Sequence, residues 1–205
     1  MAEAAKIENG FAEVGPGEWL MGRSQPAASF EEAVRRRRTG WRVPDRCALD
    51  LVATSGNAYC SDALKPFLTF LPCAAPISAV SAKVLVAPAS ARTGASFVRA
   101  VPMSVRGGVT VTEFGSEWIV LATKSRVRRI VVEDGATLSA RPESVVAWKG
   151  PRPTGFCPKL RLMDILLPRG PRNLIFHFHG PSVVWVEGSV DRRELPVMNR
   201  GRRVA

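Results

Sequence analysis

Short apolar runs separated by glycine and proline dominate the chain from about residue 43 onward. They are rich in Val, Ile, Phe and Trp, and several alternate with a period of two, as in 109–112 and 174–178. This composition and this period are typical of β-strands. Because many such runs follow one another at spacings of roughly 8–12 residues with turn residues between them, the sequence predicts an all-β antiparallel sandwich.

Three regions are predicted along the chain. Residues 1–42 read as an irregular N-terminal arm, within which SFEEAVRRRR (29–38) is predicted to form a short helix. Ser29 would cap this helix, and its arginines would lie near the C-terminal end, where the helix dipole favours cations. Residues 43–195 are predicted to form the sandwich domain, with the role of 43–80 open, and residues 196–205 a basic tail.

The charge of the protein is concentrated in its second part. Residues 1–80 contain nine Lys/Arg and nine Asp/Glu, whereas residues 81–205 contain twenty and nine, so the second part carries the whole net charge of +11. Such an asymmetry suits an RNA, an anionic membrane surface or an acidic partner. An arginine-rich surface that only aids solubility is the alternative.

The candidate polyanion-binding residues form three groups. On a strand over 123–133, Lys124, Arg126 and Arg128 are expected to share one face, with Val127 on the other and Arg129 at or beside a turn. The other two groups lie in a predicted hairpin connection (Arg169, Arg172) and in the tail (Arg200, Arg202, Arg203). No motif for reading bases accompanies them, so contact with the phosphate backbone alone is expected. The alternative is an edge strand that is merely protected by charge.

The two histidines of the chain, His177 and His179, are spaced as His-x-His. On a strand they would share one face, a spacing that some all-β cupin enzymes use to bind a metal. A catalytic zinc or iron site wants three protein ligands, however, and the chain has no third histidine. Phe176 and Phe178 are therefore expected to face the core, with the histidines exposed or at a subunit contact; a cupin-like metal enzyme is the minor alternative.

No other pattern indicates catalysis. The sequence lacks a G-x-S-x-G nucleophile motif and a G-x-x-x-x-G-K-[ST] phosphate loop. We therefore expect no enzyme, no cofactor and no small-molecule substrate. The four cysteines, Cys47, Cys60, Cys73 and Cys157, form no C-x-x-C pair and are predicted to be buried free thiols in a reducing compartment.

The N-terminal sequence shows no secretory signal, and its glutamates argue against an ordinary mitochondrial transit peptide. No apolar stretch approaches the roughly 20 residues that a membrane-spanning helix needs. A cytoplasmic location is expected for a bacterial protein, and a mitochondrial one for a eukaryotic protein.

Two stretches resemble the AIM24 family of mitochondrial biogenesis proteins and their bacterial relatives. In VVEDGATLSARPESVVAWKG (131–150) the matching residues are Gly135, Pro142, Val145, Val146, Ala147 and Trp148. In FHFHGPSVVWVEG (176–188) they are Gly180, Pro181, Val184 and Trp185, while Ser182 replaces the usual glycine. The resemblance covers about residues 81–190; the family's glycine-rich loop is reduced to GPRPTGFCPK, and residues 1–75 match nothing in the family.

The resemblance implies a β-rich fold like that of the tryptophan RNA-binding attenuator, often assembled into trimers or larger rings. It implies no catalytic residues, and eukaryotic members of the family are associated with the mitochondrial inner membrane. We therefore expect a non-enzymatic assembly protein, bound to other protein subunits or to itself, whose basic second half meets a ribonucleoprotein or an inner-membrane assembly. The alternative is an RNA-binding protein that contacts the phosphate backbone without sequence specificity.

Overall fold

The computed structural model describes residues 5–22, 27–30, 35–38, 49–101, 108–115, 117–156 and 174–188. These residues form nineteen strands, joined by turns and by two short 3-10 segments, and no α-helix occurs among them. The prediction of an all-β sandwich is confirmed. No helical stretch in these ranges has the length and hydrophobicity that crossing a bilayer requires.

The strands are numbered β1 to β19 along the chain and form three sheets. The four-stranded sheet has the order β1 (Lys6–Glu8), β2 (Phe11–Val14), β7 (Ala58–Cys60), β4 (Ala27–Phe30). The six-stranded sheet has the order β5 (Arg35–Arg38), β6 (Leu49–Thr54), β3 (Gly17–Gly22), β10 (Val84–Pro88), β13 (Trp118–Thr123), β8 (Phe67–Pro72). The nine-stranded sheet has the order β14 (Val127–Val132), β19 (Ser182–Glu187), β16 (Val145–Lys149), β9 (Ile77–Val80), β12 (Gly108–Phe114), β11 (Arg92–Val101), β17 (Thr154–Phe156), β18 (Ile175–His179), β15 (Thr137–Ala140). Neighbouring strands are antiparallel except β11 and β17, which run parallel.

The six-stranded sheet lies between the other two and is buried on both faces. On β13, Trp118 and Val120 face an N-terminal core shared with the four-stranded sheet. Ile119 and Leu121 of the same strand face a middle core shared with the nine-stranded sheet. This double burial explains why β13 is buried along its whole length and reads as a continuous apolar run without alternation.

The nine-stranded sheet folds back on itself around a third, C-terminal core. Trp148 on β16 and Phe178 on β18 have four strands between them in the sheet, yet their ring centroids are only 5.7 Å apart. Apolar side chains from both ends of the sheet meet here, including Val132, Leu138, Phe176 and Val184. The molecule is therefore a stack of two sandwiches joined through the middle core.

The prediction of an irregular N-terminal arm with a short helix is wrong where the structure describes it. Residues 6–22 form three strands, and the segment 29–38 contains the end of β4 and the whole of β5. β4 pairs with β7, and β5 pairs with β6. A ten-residue helix is marginal in water on its own. Pairing with strands of a larger sheet satisfies the backbone hydrogen bonds instead, and it overrides the local capping signals.

Residues 49–80, whose role the sequence left open, supply strands to all three sheets. They form β6 and β8 in the six-stranded sheet, β7 in the four-stranded sheet and β9 in the nine-stranded sheet. The first part of the predicted sandwich domain is thus continuous with the rest of the fold. The predicted basic tail, 196–205, lies outside the described residues.

Two cysteines lie in these cores as free thiols, as predicted. Cys60 packs in the N-terminal core and Cys73 in the middle core, and both are almost fully buried. Burial raises the pKa of the Cys60 thiol to about 12 and that of the Cys73 thiol to about 11, because the thiolate is poorly solvated there. Cys47 and Cys157 are outside the described residues.

The raised pKa of Cys60 makes stability depend on alkaline pH. The folded state keeps the thiol neutral, whereas the unfolded chain ionises it from about pH 9 upward, so its contribution is complete below pH 9 and falls as the pH rises towards 12. We expect the wild type to lose about 1 kcal/mol more than Cys60→Ala between pH 8 and pH 10. Urea unfolding of both proteins at the two pH values measures this, and equal losses would contradict it.

Candidate polyanion-binding surface

The cations predicted over 124–129 lie at an edge of the nine-stranded sheet. Lys124 and Arg126 belong to the turn between β13 and β14, whereas Arg128 and Arg129 belong to β14, the edge strand. All four side chains are exposed. We call these four residues the basic edge.

The basic edge does not have the predicted geometry. Three of its cations were expected on one face of a strand, with Arg129 at a turn, but the strand begins only at Val127 and includes Arg129. Arg128 lies on the side of Val132, which faces the C-terminal core, and Arg129 lies on the opposite side. The cations therefore wrap around the rim of the sheet and can approach a partner from both sides of it.

Glu187 fixes the turn that carries the first two cations. Its Oε2 accepts a hydrogen bond from the backbone N–H of Lys124 at 2.9 Å, and its Oε1 pairs with the ammonium of Lys83. The side chains of Lys83 and Glu187 are only 12% and 11% exposed. Within the turn, the Thr123 hydroxyl donates to the Ser125 carbonyl at 2.7 Å. The acid thus anchors the turn backbone while the Lys124 side chain stays free for solvent or a partner.

Strand pairing adds an apolar strip beside Arg129 and a further cation two strands away from Val131. Arg129 pairs in register with Trp185, and Val131 pairs with Val183, which also faces Lys149 on β16. Val131 is 56% exposed. No local sequence pattern indicates Lys149 as a member of this surface, because only the register of β14, β19 and β16 places it on the same sheet face as Val131.

The remaining predicted cations cannot be placed on this surface. Arg169 and Arg172 of the predicted hairpin connection lie outside the described residues, as do the tail arginines Arg200, Arg202 and Arg203. Their role in contacting a polyanion stays a prediction.

His177 and His179 share the outer face of β18, and their neighbours are hydroxyl groups. Phe176 and Phe178 are fully buried in the C-terminal core, as predicted. The Nδ1 atom of His177 is 3.0 Å from the Ser139 hydroxyl, and that of His179 is 3.4 Å from the Thr137 hydroxyl. In the described ranges, no group of three His, Cys, Asp or Glu side chains is arranged to hold a metal ion.

A groove of about 370 Å³ lies beside Trp148 of the C-terminal core and Ile77 of the middle core. Its walls include Ser78, Glu113, Trp148 and Lys149. The Glu113 carboxylate accepts a hydrogen bond from the Ser96 hydroxyl at 3.1 Å. No local sequence pattern indicates this groove, because its lining residues come from four separate strands, β9, β11, β12 and β16.

Comparison with known proteins supports the fold and nothing finer. No protein-family model matches the chain, and no curated protein matches it by sequence. The structure is similar to the crystal structure of protein SPYM3_0169 from Streptococcus pyogenes, a structural genomics target, with a TM-score of 0.65 and 12% sequence identity. The match covers 92% of this chain and 93% of that one. The likeness therefore extends to the N-terminal strands, for which the sequence offered no counterpart.

Proposed function

We propose that the protein is a non-enzymatic, AIM24-like assembly protein whose basic edge binds the surface of an anionic membrane. The observation that carries the binding proposal is the basic edge itself, where four exposed cations follow one another on a sheet rim. No Asp or Glu occurs in the sequence between 118 and 132. The Glu187 carboxylate beside the turn is paired with Lys83, and Glu133 and Asp134 follow only at the far end of β14. Each cation near an anionic lipid surface contributes roughly 1 kcal/mol of attraction.

Exposed apolar surface between cations favours a membrane over a polynucleotide. Val131 is 56% exposed and is flanked by Arg129 in its own strand and by Val183 in the next. An apolar side chain among cations can enter the boundary between head groups and acyl chains while the cations contact the lipid phosphates. An RNA backbone offers such a side chain no comparable environment.

The family part of the proposal rests on the resemblance at 131–150 and 176–188. These stretches include β15, β16, β18 and β19, which together with β14 enclose much of the C-terminal core. An all-β sandwich is compatible with the fold that the resemblance implies. Assembly with other subunits, and a mitochondrial location in a eukaryote, follow from the resemblance alone.

Non-specific RNA binding is the second candidate function. The register pairs Arg129 with Trp185, so an aromatic ring lies beside a cation on the same face, a combination that single-stranded nucleic acids use for stacking and charge neutralisation. Trp185 is half-buried beside the middle core, however, which limits the ring area open to a base.

The test compares vesicles and RNA at several salt concentrations. We expect Lys124→Gln/Arg126→Gln/Arg128→Gln to weaken binding to phosphatidylserine-containing vesicles by about 100-fold, since each removed cation contributes roughly 1 kcal/mol. Its free energy of unfolding should change by less than about 0.5 kcal/mol, because the side chains are exposed. Sedimentation with vesicles measures the first effect and urea unfolding the second.

The matched control removes the same charge elsewhere. Lys6→Gln/Arg141→Gln/Arg152→Gln changes three exposed cations outside the basic edge and should bind vesicles nearly as well as the wild type. If both triple variants weakened vesicle binding equally, binding would depend on the net charge of the protein and not on the basic edge. Preference for single-stranded RNA over vesicles, with a salt slope that flattens by two or three units in the first variant, would instead support the second function.

A further inference from the structure

β8 forms one edge of the six-stranded sheet and, among the described residues, pairs only with β13. In a strand that is paired on one side, every second residue directs its backbone N–H and C=O away from the sheet. Such an edge is a template for pairing with another chain.

The side chains of this edge are uncharged, and all except that of Thr69 are apolar. β8 has the sequence Phe-Leu-Thr-Phe-Leu-Pro; Phe67 is 41% exposed, and Leu64 just before the strand is 81% exposed. The nearby cation, Lys65, is turned away from the edge. Its ammonium donates to the Ala82 carbonyl at 2.6 Å and lies 3.5 Å from the Asp62 carboxylate.

Two of the other edge strands in the described sheets, β5 and β14, carry arginines, whereas the uncharged edge strands β4 and β15 have only four residues each. β5, at the opposite edge of the six-stranded sheet, consists of four arginines, and β14 contains Arg128 and Arg129. Charged residues and shortness are the usual protections of an edge strand. β8, with six residues, is the longest edge strand of the described sheets without a charge. An edge of this length that the described residues neither cover nor protect with charge indicates a strand that is paired in the working protein.

The sequence from Pro66 to Pro72 is nearly symmetric about Thr69. Pro66 and Pro72 lie three residues on either side of Thr69, and large apolar residues fill the positions between. Proline has no N–H and ends strand pairing. An antiparallel pair of two such segments, centred on Thr69, would therefore end at the same point on both sides.

We propose that β8 pairs antiparallel with β8 of a second copy of this chain, in the register that places the two Thr69 residues opposite each other. Leu68 of one copy then lies opposite Phe70 of the other, on the side of the N-terminal core. Phe67 lies opposite Leu71 on the side of the middle core. The two six-stranded sheets become one twelve-stranded sheet, and the half-buried side chains at each edge are covered by the other copy.

The first test measures the mass of the full chain in solution. Light scattering should give twice 22.2 kDa at micromolar concentration. Phe67→Lys places a charge at the contact and should shift the protein to monomer, whereas Val131→Lys, the same kind of change on the edge strand β14, should leave the dimer intact. Circular dichroism and thermal unfolding of both variants show whether the fold is retained.

The second test fixes the register. Directly opposite residues of an antiparallel pair have Cα atoms roughly 4.5–5.5 Å apart, within the range that a disulfide spans. In a Cys47→Ser/Cys157→Ser background, Thr69→Cys should form a covalent dimer on mild oxidation, and Val131→Cys should not. A full chain that is monomeric would overturn the proposal. This holds even if a chain lacking residues 189–205 forms dimers. A trimer, or equal cross-linking of the two cysteine variants, would also overturn it.

Discussion

Replacing Gly180 with alanine is expected to lower the free energy of unfolding by more than about 4 kcal/mol, an unusually large effect for one methyl group. Gly180 lies in the turn between β18 and β19, where its N–H donates to the Ala136 carbonyl at 3.0 Å. A Cβ at this position would overlap the backbone carbonyl of Glu133 and lie 3.0 Å from that of Val132. Because the obstacle is backbone, relieving the overlap requires moving the β14–β15 turn away from the β18–β19 turn.

Gly56→Ala is the matched control. Nothing lies within 4 Å of a Cβ built at Gly56, and its backbone is not in the left-handed region. We expect this variant to be within about 0.5 kcal/mol of the wild type or slightly more stable, because alanine reduces the entropy of the unfolded chain. Urea unfolding followed by tryptophan fluorescence compares the three proteins. Similar stabilities of Gly180→Ala and Gly56→Ala would show that the two turns do not pack as described.

Phe178→Ala is expected to destabilise the protein by about 3–5 kcal/mol. The Phe178 ring is fully buried in the C-terminal core, and its centroid is 5.7 Å from that of Trp148 and 6.4 Å from that of Phe176. Deleting the ring removes its burial and leaves a cavity where the two ends of the nine-stranded sheet meet. The same unfolding measurement tests the effect.

Phe156→Ala is the matched control, because it makes the same substitution at a position where the ring is not buried. Phe156 belongs to the neighbouring strand β17 but is 46% exposed. The same substitution there should cost less than about 1.5 kcal/mol, because roughly half of the ring is already in water. If both variants lost equal stability, Phe178 would not occupy a packed core.

The sequence predicts correctly which side chains are buried where one face of a strand packs on a core and the other does not. In β18, Phe176 and Phe178 are buried while His177 and His179 are not, which is the alternation that a half-buried strand requires.

The same reasoning was insufficient where tertiary contacts decide the outcome. At 29–38 a capping serine and a favourable charge order indicated a helix, but strands elsewhere in the chain supply β4 and β5 with backbone partners. At the basic edge, an alternating reading placed Lys124 on a strand, whereas Glu187, 63 residues away, holds that residue in a turn. The position of Lys149 beside Val183 likewise depends on register, which no local pattern encodes.

The sharing of sheets between distant parts of the chain sets the order in which the protein can be completed during synthesis. The N-terminal core needs residues from Ala12 to Ala122, and the C-terminal core needs residues up to Val186. The Lys83–Glu187 pair joins residues 104 positions apart. Domains dominated by such non-local contacts fold slowly, because the entropy of closing long loops must be overcome before the contacts form. Strands such as β3 and β6 therefore lack a complete core until β13 has left the ribosome. During that interval their exposed apolar side chains can aggregate with those of another nascent copy.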